Sequence, residues 1–298
     1  MIKKLFARAP LMSLMREGAP LLGLYWLYST IRWFVARDSP YEAFSNAFRI
    51  IDLERQLRLF AEQATQGWLI HHAMPVVKFA NTFYTLGYFP VLILFAALLY
   101  RCDRGRFLAF KLTFLLTLGF ALVCFSLFPV APPRMLPGVG FVDTQQFYGS
   151  GMYRDKFVLS FYNPYAAMPS LHFACALLVG MLSFSFDRRA LKALGVIYPS
   201  CMAVVVVATG HHYILDIAGG AVVVLLAQGL VKTLPSAVGV PAHRVAGLTA
   251  GFTLTTGAAR AKRADRAVWR VGDRSGQIQR RRHQVIGELF TVFRRPPL

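Results

Sequence analysis

Long apolar runs recur along this chain, roughly at 19–36, 81–100, 107–128, 167–186, 191–209 and 212–233. Crossing ~30 Å of hydrocarbon takes about 20 such residues in a helix, because lipid offers the backbone no partner for its N–H and C=O groups. The runs therefore predict an all-α, polytopic membrane protein built on a six-transmembrane-helix bundle. Composition agrees: 56% of the residues are hydrophobic and 16% charged, with a mean hydropathy of +0.47. Those values exclude an ordinary soluble domain. The basic start followed by an apolar run also raises a cleaved signal peptide. Arg16 comes too late for one and no A-x-A site follows, so an uncleaved first span fits better.

Between the first two runs, residues 39–79 mix charge with apolar positions, and Phe48, Ile51, Leu57 and Phe60 fall near helical spacing. This stretch reads as an amphipathic helical segment on or partly in the membrane interface. Basic residues cluster before span one (Lys3, Lys4, Arg8, Arg16), in "RCDRGR" and in "DRRALK". The positive-inside rule puts these loops in the cytoplasm, and six spans return both termini there. The formal charge of +19 is thus mainly a topology signal, and no nucleic acid is expected as partner. The expected organisation is a cytoplasmic N-terminus at 1–18, the first span with interfacial helices at 19–80, a membrane core at 81–233 and a basic tail at 234–298. The tail carries "ARAKRADR" and "QRRRH" and reads as disordered chain near anionic headgroups. Four scattered cysteines give neither a disulfide framework nor a zinc pattern.

Three polar clusters interrupt the apolar chain, and this topology puts all of them at the outer face. In "FPVAPPRMLPG" prolines end the third span, and Arg134 presents a planar donor fork suited to phosphate. Taken alone, a rigid loop whose arginine reaches lipid headgroups is the better explanation of this cluster. In "NPYAAMPSLH", Pro169 suits the first position of a helix, which places Ser170, Leu171 and His172 in the opening turn. Met168 cannot cap that turn, so its amides and the Ser170 hydroxyl would stabilise an anion. In "VATGHHYILDIAGG", four residues separate His212 from Asp216, so one helical face carries both and the carboxylate can orient the imidazole. An aspartate one turn inside a span costs several kcal/mol unless used or paired. His211 lacks such a partner, since its fourth neighbour is Leu215, and is assigned a supporting role.

The reaction such a set suits is phosphoryl transfer. His212 attacks phosphorus, His172 protonates the leaving oxygen, and Arg134 with the helix-start amides holds the charged oxygens. Two other classes use the same residues: a transporter or lipid-binding protein that grips a headgroup without cleaving it, and a haem protein ligated by His172 and His212.

Arg134, "PSLH" at 169–172 and "HYILD" at 212–216, in this order, resemble the three-block signature of the type 2 phosphatidic acid phosphatase superfamily. Leu171 in place of the commoner glycine, with "AAMPSLH" and "TGHHYILD", is more similar to the inositol phosphorylceramide synthase branch (inositolphosphotransferases). The resemblance spans about residues 80–233. It implies a six-helix core, no metal, a phosphohistidine intermediate on a lipid phosphate, diphosphate or phosphodiester, and the roles just given to His212, His172, Asp216 and Arg134. Leu127, Met135, Val205 and Val206 depart from that pattern. Two phosphate-binding cations are thereby missing, so the substrate is either less charged than a monoester or met by Arg154, Lys156 or His211. The loop from Arg134 to Pro169 is long and aromatic, and is expected to cover the site with Tyr162, Asn163 and Tyr165 nearest the chemistry.

Overall fold

The computed structural model describes residues 40–149 and 163–233, with a few helical positions between Glu17 and Thr30. The expected first span, the basic tail, Tyr162, Arg154 and Lys156 fall wholly or largely outside the described residues. What is described is all-helical, without strands. In chain order the helices are α1 (Pro40–Gln56), α2 (Glu62–His72), α3 (Met74–Leu86), α4 (Phe89–Cys102), α5 (Arg104–Leu127), a short α6 (Thr144–Tyr148), α7 (Leu171–Ser183), α8 (Arg189–Ala208) and α9 (Ile214–Thr233).

Three of these, α5, α8 and α9, are long and apolar enough to cross a membrane. The fourth candidate is α3 with α4, bent by 46° at Gly87–Tyr88. The expected run at 81–100 is therefore broken: Pro90 lacks the N–H that would continue α3, so the helix restarts at Phe89. The run at 167–186 also shrinks, to the 13 residues of α7. Its first four residues serve other ends, with Ala167 paired to Val130 and Ser170 acting as N-cap. Several apolar helices of this kind fit an integral membrane protein.

Helix α7 is the hub. Ala174, Cys175, Ala176, Leu178, Val179 and Leu182 are buried on all its sides, among α4, α5, α8 and α9. Two glycines let α7 and α8 touch at the backbone. A Cβ on Gly180 would lie 2.6 Å from the Gly195 carbonyl oxygen, and one on Gly195 2.8 Å from that of Gly180. Such close approach is how helices associate where no water drives them together.

Across the bundle, the loops 102–104 and 183–189 share one end. Arg106 donates to the Ser185 carbonyl at 3.1 Å and its guanidinium lies over Phe186. The starts of α7 and α9 and the exit of α5 share the opposite end, so all three polar clusters are at one end. There α1 and α2 lie against the bundle. The buried face of α1 is Ala43, Asn46, Ala47, Ile50, Ile51 and Glu54. Of the expected apolar positions Ile51 is inside, whereas Phe48 and Leu57 are exposed, on the side turned away from the bundle.

One contact sets the depth of α9 against α7. The Ser170 N–H donates to the Asp216 carbonyl at 2.9 Å, and a Cβ on Gly220 would come within 2.6 Å of the Ser170 carbonyl oxygen. Gly220→Ala must push these backbones apart, so it is expected to lower stability by about 1–3 kcal/mol. Thermal unfolding in detergent checks this against Gly229→Ala, where nothing lies within 4 Å of the added carbon and stability holds or rises.

Candidate active site

The site forms where α8 ends, α9 begins and the segments before α6 and α7 fold over them. After α8 the chain turns at Gly210, whose φ of +70° favours glycine and whose Cβ would lie 2.6 Å from Gln66 Nε2. The Gly210 carbonyl accepts the Arg134 N–H at 2.8 Å, which joins the arginine cluster to the histidine cluster. Gln66 and Asn81 then pin the loop ahead of α6. Gln66 pairs with both backbone groups of Val142, and Asn81 bonds the Thr144 carbonyl and hydroxyl.

His211 and His212 precede α9. The expectation that one helical face carries His212 and Asp216 is corrected here, because the helix begins only at Ile214. They still meet, with His212 Nδ1 3.4 Å from Asp216 Oδ2. A nearer acceptor holds the ring: Nδ1 lies 2.8 Å from the Ala167 carbonyl. A carbonyl can only accept, so Nδ1 carries the proton and Nε2 holds a lone pair. Asp216, fully buried at the third position of α9, reaches back to accept the Tyr213 N–H at 2.8 Å. That is the acidic half of a capping box.

His172 sits 6.1 Å from His212, ring centre to ring centre. It is held by its faces, with Tyr84 stacked at 4.1 Å and Tyr88 tilted at 4.4 Å. Tyr84 continues the column to His211, stacked at 3.9 Å. Thr209 donates its hydroxyl proton to the Val205 carbonyl and so receives the His211 Nδ1–H at 3.0 Å. Burial and the neighbouring Arg134 charge push His211 well below the usual histidine range, which keeps it neutral at pH 7.

Two details of the helix start differ from the expectation. Pro169 lies one residue outside α7, and Ser170 is the N-cap, its hydroxyl accepting the Phe173 N–H at 3.4 Å. Since Asp216 takes the Ser170 amide, Leu171 and His172 supply the two amides that the helix itself leaves without a partner. Arg134 is brought to the site but not as a lone cation, because it donates to Asp143 at 2.9 Å. Asn163 and Tyr165 serve their own segment. Asn163 Oδ1 accepts the Tyr165 N–H, and the Tyr165 ring packs edge-on to Phe44. Sequence reasoning missed Tyr84, Tyr88, Asp143 and the Ala167 carbonyl.

A family model described as the PAP2 superfamily matches residues 49–230, well over half of the chain. The chain belongs to the PAP2 superfamily. No curated protein and no solved structure matches it. PAP2 superfamily membership supports a membrane enzyme of the phosphatase or phosphotransferase kind, and the matched region contains every polar cluster just described.

The neutral state of His211 makes stability pH-dependent in a defined direction. Unfolded, it binds a proton below about 6.5; folded, it does not, so its contribution is present above that value and lost as pH falls. The stability advantage of the wild type over His211→Asn should therefore narrow from about pH 7.5 to about pH 5, by up to ~1.4 kcal/mol per pH unit. Denaturation midpoints of both proteins at each pH measure it.

Proposed function

We propose that this protein is a phosphatase or phosphotransferase that acts on a lipid phosphate, diphosphate or phosphodiester at the outer membrane face, through a phosphohistidine. The observation that carries the reading is the state of His212. Its Nδ1–H is committed to Ala167 beside the Asp216 carboxylate, which leaves Nε2 as a nucleophile, with a second imidazole 6.1 Å away.

In this reading His212 Nε2 attacks phosphorus, and the bond to the leaving oxygen breaks as His172 gives that oxygen a proton. Asp216 balances the positive charge that develops on the imidazole ring. Arg134 and the Leu171 and His172 amides hold the equatorial oxygens. In the second half, water or an alcohol gives its proton to His172 as its oxygen attacks, and the phosphorus–Nε2 bond breaks.

Local charge favours a phosphodiester among these substrates. Asp143 already offsets Arg134, and the positions where the family pattern places further cations are Leu127 and Val206. A singly charged diester needs less compensation than a dianionic monoester, which supports headgroup transfer of the inositol phosphorylceramide synthase kind. Six spans, with the first through residues 19–36 and α7 as a short central one, put the basic loops at 101–106 and 187–192 in the cytoplasm with both termini. The site then opens at the outer leaflet, with α1 and α2 at its interface, where Ser170 and His211 border the bound headgroup.

Purified protein in mixed micelles with phosphorus-labelled phospholipid should form an acid-labile protein adduct. His212→Ala should abolish it, and His172→Ala should slow turnover by roughly 10²–10⁴-fold. Retention of full activity by His212→Ala and Asp216→Ala would sink the mechanism, and failure to label any histidine would favour a protein that only binds the headgroup. Adding inositol or other alcohols separates transfer from hydrolysis.

A further inference from the structure

Two fully buried glutamates outside the three clusters converge on the start of α9. Glu54, in the last turn of α1, accepts the Leu215 N–H on Oε1 at 2.7 Å. Glu62, the first residue of α2, accepts the Ile214 N–H on Oε1 at 2.8 Å and the Ala61 N–H on Oε2 at 2.9 Å. With the Tyr213 N–H on Asp216, three successive amides at the head of α9 each meet a different carboxyl group.

The distribution of donors is uneven. Both Glu62 oxygens receive an N–H, whereas Glu54 Oε2 is buried with no donor in reach. An ionised carboxylate can only accept, and two of them side by side repel. A single proton on Glu54 Oε2 removes both problems, because the hydroxyl then donates to the Glu62 carboxylate. Glu62, with two amide donors, is the better place for the charge.

We propose that Glu54 and Glu62 are a proton-sharing carboxyl pair that clamps the first turn of α9 and thereby positions Asp216 and His212. This rests on the phosphotransfer reading only for its catalytic consequence. Asp216 is one residue beyond the clamped Leu215 amide, and its side chain sets the environment of the His212 ring. Movement of the first turn of α9 would change the His212–Asp216 distance directly. The groups that face Glu54 are Glu62 from α2 and Tyr213 and Asp216 at the start of α9. On its own segment Arg55 and Arg58 are exposed, and Arg55 pairs with Asp52. Burial, reinforced by the Glu62 neighbour and opposed by the Leu215 amide, pushes Glu54 up to about 9. The proton is therefore held through neutral pH. As pH rises past that value, a second charge appears beside Glu62 and Asp216 and the clamp loosens.

Three variants and two measurements test this. Glu54→Gln mimics the protonated acid, with a carbonyl for Leu215 and an amide donor for Glu62. It should keep kcat within about twofold and move the alkaline fall of the kcat profile to higher pH. Glu54→Ala should lower kcat by roughly 10- to 100-fold with little change in KM, as a small displacement of a catalytic group does. Glu62→Gln removes the charge that retains the proton, so Glu54 should lose that proton, and its carboxylic-acid signal, at lower pH than in the wild type. That signal is an infrared C=O band of the wild-type protein at neutral pH, which Glu54→Gln should remove. A band that is absent, or that survives Glu54→Gln, overturns the proposal, as does an alkaline limb unmoved in that variant. The infrared measurement needs no substrate. Wild-type protein with the band intact but without phosphotransfer sinks the functional reading instead.

Discussion

The start of α9 is a helix terminus packed against α1 and α2, and its first amides have no earlier turn to bond. Satisfying them organises everything at this end of the bundle. Glu54 brings α1, Glu62 brings α2, and Asp216 folds back onto Tyr213. With its side chain so occupied, Asp216 turns its own carbonyl to Ser170, which fixes the head of α7. Burying three carboxyl groups costs several kcal/mol each if they stand alone. Here each accepts backbone N–H groups that would otherwise be orphaned, so two unfavourable burials offset one another. His212, immediately before this knot, inherits its position between the Ala167 carbonyl and the Asp216 carboxylate.

The second half of the construction is the loop between α5 and α6. It has no regular sheet or long helix to hold it, and only the short pairing of Val130 with Ala166 gives it strand character. Side chains from α2 and α3 do the work of a scaffold: Gln66 satisfies Val142, and Asn81 satisfies Thr144. Tyr213 adds a hydroxyl to the Ala131 carbonyl. Arg134 is thereby delivered to the histidines by backbone geometry, through Gly210, and its charge is tempered on arrival by Asp143.

Apolar runs made the helical architecture legible, because a bilayer imposes its length on any helix that faces lipid. The rule weakens where a helix faces protein. Helix α7 is short since its neighbours enclose it, and the α3–α4 break follows a proline that hydropathy does not weigh. The three blocks of the site were legible as residue types, and the structure brings Arg134, His172, His211, His212 and Asp216 together. What joins them was not. The Ala167 carbonyl has no sequence signature, and the His212–Asp216 approach arises from a turn and a capping contact rather than a helical face. Glu54 lies on the inward face of α1, which the largest apolar residues do not mark. Ala43, Ala47, Ile50 and Ile51 set a spacing that Glu54 continues, so the buried acid was visible once the inward face was identified by its small residues instead of its largest ones.

The two central histidines are restrained in different ways, and the difference matches the two tasks proposed for them. His212 is held through a nitrogen: with Nδ1–H committed to a carbonyl, one tautomer prevails and the other nitrogen keeps its lone pair. A nucleophile needs that certainty, since the wrong tautomer has no electron pair to offer. His172 is held through its faces by Tyr84 and Tyr88, with no hydrogen bond to its nitrogens among the described residues. Stacking fixes where a ring lies without fixing which nitrogen carries the proton. A group that must release a proton to a leaving oxygen and recover one from the next acceptor is better served by that looser hold, because no internal partner competes for either transfer.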